Sequence, residues 1–350
     1  MSKLYYFQSV KDKNNLVYSC DSIRLEIQLK SISSILEKIS YFCCSNCDSW
    51  YQSFKTFNYK YCFTFNLDIH TSFSILVGLN TFGKVKSCFV IDFNPNKCMK
   101  FDKFRNIVSF LFCLCENYIK DTVIKRYDLA IDLPYKRELV NIIWNGKGSK
   151  RHETVQTTIE DKTDYFGERN TIGRLKVYNK SLEDIRTKSS KEKKLYKSGF
   201  YEYLTRVEIT HNSFDSIVVY SSLPCVFTRY SLSVLPDCFT EVDYILVNSC
   251  LENSEYIPHL KRSKKKWLKL KDYIIGNHVE YNIDCVSEIL FQISCYMDIS
   301  MYSLTSFNNL KEYFSNNSKN RDFDINQLSF EDDILCDDFE EITEDDLKPF

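Results

Sequence analysis

Three short runs hold residue types suited to phosphoryl chemistry: RYDLAID (126–132), RLKVYNK (174–180) and LTRVEIT (204–210). Each alternates apolar and polar residues, the period of a strand with one buried face. Residues two and four apart project from the same side, so Asp128, Ala130 and Asp132 share a face. Neighbouring carboxylates repel unless a cation or hydrogen bonds compensate, and a hard divalent ion, Mg2+ or Mn2+, is the expected compensation. Glu208 would join Asp128 and Asp132 as a third metal ligand, with Arg206 beside it. The other reading of these strands is a solvated face with ordinary Arg–Asp pairing. In the second run Lys176, Tyr178 and Lys180 share a face, and flanking cations favour the Tyr178 phenolate by lowering its ordinary pKa of about 10. Such an oxygen can attack phosphorus while Lys176 and Arg206 stabilise charge on the phosphoryl oxygens.

A face of this kind needs a sheet to carry it, and alternation dominates the first two thirds of the chain. Strands are expected near residues 57–67, 74–79, 87–93, 126–133, 174–179 and 203–210. Residues 101–120 follow helical spacing through Phe104, Ile107, Val108, Leu111, Leu114 and Cys115. A second short helix is expected over 136–144, ended by Asn145-Gly146. Beyond residue 220 the pattern changes, with helices expected over 260–275 and 286–302. The predicted fold class is α+β: a largely antiparallel sheet domain with flanking helices (1–220), a smaller, mainly helical DNA-binding region (221–305), and a polar linker with an acidic, disordered tail (306–350).

The charge balance is uneven. Lys and Arg number 46 against 47 Asp and Glu, yet residues 331–346 (EDDILCDDFEEITEDD) alone hold ten acids. The remaining body is basic, which suits a polyanionic partner. The tail either competes with DNA for that surface or simply solvates the terminus. No apolar stretch approaches the roughly 20 residues of a membrane span, and the N-terminus has no signal pattern, so a cytoplasmic protein with no membrane partner and reduced cysteines is expected. Cys44 and Cys47 form a C-x-x-C pair next to Cys43, but no second pair follows at zinc-finger spacing, leaving small buried hydrophobes as the main reading. Gly146-Lys147-Gly148-Ser149 lacks phosphate-loop spacing, which argues against an ATPase.

The ordered blocks IDFNPNK (91–97), RYDLAIDL (126–133), DYFGERNT (164–171), RLKVYNK (174–180) and LTRVEI (204–209) resemble those of the replication initiation factor family. These are rolling-circle initiators of staphylococcal-type plasmids, with relatives in filamentous phages and among conjugative relaxases. The resemblance covers about residues 85–215. It implies that Tyr178 is the nicking nucleophile and that Asp128, Asp132 and Glu208 match the family's acidic positions. Two departures stand out: Thr210-His211 replaces an acidic residue common in the family, so that His211 could stand in as a ligand, and Lys176 replaces arginine, which removes the bidentate fork. The His-hydrophobic-His metal motif of the other large class of nickases is absent.

DNA contacts are expected from Lys180 and from the basic run KRSKKKWLKLK (261–271), through Lys261, Arg262, Lys264, Lys265, Lys266, Lys269 and Lys271. A solvated helix face is the competing reading. A second basic stretch, 186–197, either tracks the nicked strand or forms a loop. The expected function is a metal-dependent, ATP-independent nickase that joins Tyr178 covalently to origin DNA, double-stranded and locally melted. A homodimer and a host helicase are the expected protein partners. A conjugative relaxase and a non-catalytic DNA-binding regulator are the alternatives.

Overall fold

The computed structural model describes residues 8–30, 33–52, 59–81, 84–144, 152–156, 162–168, 174–186, 203–214, 230–236, 238–275 and 282–295. Thirteen strands are described: β1 Val10–Lys11, β2 Val17–Leu29, β3 Ser49–Gln52, β4 Tyr59–Asn66, β5 Ser72–Thr81, β6 Lys84–Phe93, β7 Ile119–Leu133, β8 Val140–Trp144, β9 His152–Gln156, β10 Lys162–Phe166, β11 Arg174–Asn179, β12 Thr205–Phe214 and β13 Tyr230–Val234. Eight helices accompany them: α1 Ser33–Asn46, α2 Pro95–Cys98, α3 Asp102–Cys115, α4 Lys180–Arg186, α5 Glu241–Glu252, α6 Tyr256–Lys261, α7 Lys264–Ile275 and α8 Ile283–Cys295. The chain is thus α+β, as its alternation implies. None of the described helices is long and apolar enough to cross a membrane.

One antiparallel sheet organises the molecule, in the order β3-β4-β5-β6-β2-β7-β12-β11-β10-β9 with β1 paired to β2. Its long central strands, β2 and β7, bury one face almost completely. Tyr18, Cys20, Ile23, Leu25 and Ile27 of β2 meet Tyr127, Leu129 and Ile131 of β7 in the core. The helical spacing of α3 turns Phe104, Ile107, Val108, Leu111 and Cys115 onto that face. Aromatic rings lock the layer: Phe73 stacks on Phe65 at 4.8 Å and meets Phe104 edge-on at 4.9 Å, and Phe42 of α1 stacks on Phe110 at 4.4 Å. Cys43, Cys44 and Cys47 are buried in the same core.

Two elements differ from their expected form. The helix over 101–120 ends at Cys115; a 3-10 turn covers Glu116–Tyr118 and β7 begins at Ile119. Residues 136–144 are not a helix but a 3-10 turn at Arg137–Leu139 followed by β8, which pairs with β13. The β-branched Val140, Ile142 and Ile143 favour a strand once a distant partner is present, and pairing across about 90 residues outweighs local helical spacing. Asn145-Gly146 and the Gly146–Ser149 stretch lie outside the described residues, as do 215–229 and everything beyond 295.

The hydrophobic cores divide the chain differently from the expected boundaries at 220 and 305. Cys285, Val286, Ile289, Leu290 and Ile293 of α8 belong to the sheet's core, and Leu232 of β13 joins it. Gln292 of α8 accepts from the Gln8 backbone at 2.9 Å, and the Asn282 backbone donates to Tyr18 Oη at 2.9 Å. The helical unit is narrower: α5, α6 and α7 close over their own cluster of Leu235, Phe239, Val247, Cys250, Leu260, Leu270 and Ile274. A capping box starts it, with the Thr240 hydroxyl accepting from the Asp243 backbone and the Asp243 carboxylate accepting from the Thr240 backbone. Thr240→Ala is expected to cost about 1 kcal/mol. Hydrogen exchange should show this as faster exchange confined to α5–α7, with β7 and β12 unchanged.

Candidate active site

The face of β11, β12, β7 and β2 opposite the sheet's hydrophobic core carries the polar residues in rows. Their register sets Tyr178, Arg206, Asp132 and Val17 in one row, Lys176, Glu208, Ala130 and Ser19 in the next, and Arg174, Thr210, Asp128 and Ser22 in a third. The alternate residues Leu175, Val177, Val207, Ile209, Leu129 and Ile131 are buried behind them. The apolar positions therefore anchor four strands in a register that brings Tyr178, Lys176, Arg206 and Glu208 together.

Tyr178 Oη donates a 2.5 Å hydrogen bond to Glu208 Oε1. Lys176 Nζ lies 3.3 Å from Glu208 Oε2 and 3.9 Å from the centre of the Tyr178 ring. Arg206 forms a fork on Asp132, with Nε and Nη2 each donating at 2.6 Å to separate carboxylate oxygens. Its Nη1 donates to Asp21. Asp21, a residue that carried no expectation, is the extra residue of a β-bulge between Cys20 and Ser22, where β2 slips by one against β7. Its signal was present in the sequence: buried positions fall on Leu16, Tyr18 and Cys20 before the bulge and on Ile23, Leu25 and Ile27 after it.

The electrostatics correct one expectation. Tyr178 is 5% exposed, and burial together with the adjoining Glu208 carboxylate raises its phenol well above the ordinary tyrosine value, with Arg206 opposing only in part. The flanking cations do not make a free phenolate; the residue is held as a neutral donor to a carboxylate. Glu208 is itself pushed up by burial and by Asp21 despite Lys176. Burial also works against the Asp21 carboxylate, but Arg206 and Lys180 outweigh it and hold Asp21 below the usual range.

The expected metal set does not converge. Asp128 and Asp132 stand four residues apart on one strand, about 13 Å at roughly 3.3 Å per residue, whereas oxygen ligands sit about 2.0–2.6 Å from such an ion. Each carboxylate is also occupied by a different arginine. Arg126 Nε and Nη2 hold Asp128 at 3.1 and 2.8 Å, and Arg206 holds Asp132. The Arg–Asp pairing weighed for these strands is what the fold builds, and Asp128, Asp132 and Glu208 do not fit a single Mg2+ or Mn2+. Among the described residues no group of three His, Cys, Asp or Glu side chains is placed for a metal ion. His211 stands opposite Tyr127 in the ladder, out of step with Arg206, Glu208 and Thr210.

The expected DNA contacts are also redistributed. Lys180 is not on the β11 face: it opens α4, is buried, and pairs with Glu183 at 2.8 Å and Asp184 at 3.0 Å. In the helical unit Lys269 is committed to Asp243 at 2.5 Å, and Lys261 lies 5.1 Å over the Trp267 ring. Arg262, Lys264 and Lys265 are exposed, while Lys266 and Lys271 are half-buried. The basic stretch after Arg186 lies outside the described residues.

No protein-family model matches the sequence, and no curated protein sequence matches it. Among solved structures, a rolling-circle replication initiator protein from Geobacillus stearothermophilus is similar with a TM-score of 0.36 and 13% identity, covering 65% of this chain and 89% of that one. The site's own geometry has to carry the chemistry.

That geometry separates two aspartates that look equivalent in the sequence. Asp132→Asn loosens Arg206 beside Tyr178, and Asp128→Asn loosens only Arg126. Chemical denaturation should show a loss of about 2–3 kcal/mol for Asp132→Asn, which takes one charged partner from the buried Arg206, and less than about 1 kcal/mol for Asp128→Asn, whose partner Arg126 is partly exposed.

Proposed function

We propose that this chain is a DNA strand transferase in which Tyr178 attacks a phosphodiester and thereby initiates rolling-circle replication. The observation that carries the reading is the 2.5 Å hydrogen bond from Tyr178 to Glu208, on a face that also presents Lys176 and Arg206. A buried tyrosine bonded to a carboxylate is a nucleophile with its base already placed. As the phenolic oxygen bonds to phosphorus, its proton passes to Glu208. The bond from phosphorus to the 3′ oxygen breaks, and that oxygen takes a proton from solvent. The products are a phosphotyrosyl link to the 5′ end and a free 3′ hydroxyl able to prime synthesis. One phosphoester is exchanged for another, so no nucleotide hydrolysis is needed.

Lys176 keeps Glu208 oriented and places positive charge over the tyrosine ring. Arg206, fixed by Asp132 and Asp21, presents a rigid cation to the charge that develops on phosphorus oxygens. The exposed cations of α7 would contact duplex phosphates. Reversal of the same step, on a second strand end, would release the circle; a partner subunit could supply the second tyrosine.

The test is incubation with supercoiled DNA carrying the matching origin, with Mg2+ or Mn2+ supplied, followed by detection of nicked circles and of a covalent protein–DNA adduct. Tyr178→Phe should abolish both; persistence of the adduct would overturn the assignment. Glu208→Gln should slow adduct formation by about 10²–10⁴-fold, the range of a lost general base. Because Glu208 must be ionised to accept the proton and burial raises its pKa, activity should fall as pH drops through a value above the usual 4.5. Lys176→Ala removes the opposing cation and should move that acid limb higher still.

A further inference from the structure

The block IDFNPNK (91–97) has no part in the chemistry just described, yet it is tied to the site. The Asn94 side chain caps α2 by accepting from the Lys97 backbone at 3.1 Å and reaches Asp21 through Nδ2 at 3.4 Å. Asn96 Nδ2 donates to the Cys20 carbonyl at 2.8 Å. The two asparagines therefore clamp α2 onto the β2 bulge that delivers Asp21 to Arg206. Pro95 at the start of α2 pre-sets its backbone.

The clamp forms one wall of an open cleft of about 580 Å³, within the size range of small-ligand sites. Arg206 with its partners Asp132 and Asp21, Lys180 with Asp184, and Lys97 and Lys100 at and just after α2 all line it. Its carboxylates are already engaged: Asp21 and Asp132 by Arg206, and Asp184 by Lys180. Four cations against three carboxylates leave a positive surplus, and Lys97 and Lys100 are the exposed members of the four. A further feature points to a ligand. Ser19 lines the cleft, is 3% exposed, and its Oγ has no hydrogen-bond partner among the described residues. A buried hydroxyl without a partner costs free energy that an acceptor would relieve.

We infer that this cleft is a phosphate subsite for the single DNA strand bound at Tyr178, one backbone phosphate being held by Lys97 and Lys100 with Ser19 donating to its oxygen. The strand would run from the α2 wall past Arg206 to the tyrosine. The cleft would then fix which phosphodiester stands at the nucleophile, a distinct task from the general backbone attraction of the helical unit. This inference rests on the proposed strand-transfer reading for its choice of DNA as ligand.

The test is binding of a fluorescent single-stranded oligonucleotide of the origin to the full chain, measured across salt concentrations in the Tyr178→Phe background so that no cleavage intervenes. Lys97→Ala with Lys100→Ala should weaken binding on the order of tenfold at 0.15 M salt and reduce the slope of log affinity against log salt by about 1.4, two cations at roughly 0.7 each. Both lysines are exposed, so the fold should survive, and circular dichroism checks it. Ser19→Ala should weaken binding severalfold with an unchanged slope, since it removes a neutral donor. Unaltered affinity and slope in the lysine double variant would overturn the subsite. If the slope falls as expected while wild-type protein forms no adduct at Tyr178, the subsite stands and only the nucleophile assignment is lost.

Discussion

The polar face depends on one guanidinium. Arg206 bonds Asp132 of the neighbouring strand through two nitrogens and Asp21 of the next strand but one through the third. A buried arginine with one partner removed leaves a charge stranded in a poorly solvated place, a cost of several kcal/mol. Three strands are thereby held in one lateral arrangement by a planar group whose donors diverge at fixed angles. Lysine would not replace it, because an ammonium lacks the planar fork that grips Asp132 through two nitrogens while a third reaches Asp21.

The tyrosine pair builds on that frame. Glu208 stands between Lys176 and Ala130 in its row, with Ser19 beyond Ala130, so Lys176 and Tyr178 direct its carboxylate while the β7 side opposite it carries only a methyl group. Burial keeps the proton on the tyrosine and raises the proton affinity of the glutamate. The two effects act together: the nucleophile is neutral in the resting state, and its acceptor is more basic than a solvated carboxylate.

Much of this was legible in the sequence, because alternation is a strong signal where one face is buried. The span of β11, the site-bearing parts of β7 and β12, and the shared face of Lys176, Tyr178, Arg206 and Glu208 follow from periodicity, although β7 begins earlier than the expected 126, at Ile119, and β12 runs past the expected 210 to Phe214. Periodicity says nothing about distance along a strand, so Asp128 and Asp132 look like co-ligands although they stand two rows apart. Nor does it separate a cation that lowers a pKa from burial that raises one, which is why Tyr178 is a neutral donor and not a phenolate. Local spacing also misplaced residues 136–144, whose partner β13 lies far along the chain. Lys180 resembled a strand residue because the α4 boundary falls immediately before it. Asp21 lay hidden in a change of parity, which is readable only by asking why the apolar positions switch from even to odd numbers.

That parity change separates the inheritance of the site from that of the fold. Deleting Asp21 would restore regular pairing without turning either half of β2 over, because Cys20 and Ile23 would then stand two apart with only Ser22 between them. The core therefore does not need the bulge: Tyr18, Cys20, Ile23, Leu25 and Ile27 would keep their places. What the extra residue adds is a carboxylate on the polar face that bonds Arg206. The spacing between Cys20 and Ile23 is thus a mark of the site and not of the fold, and a descendant that loses one residue there should keep its sheet while giving up the hold on Arg206 from β2.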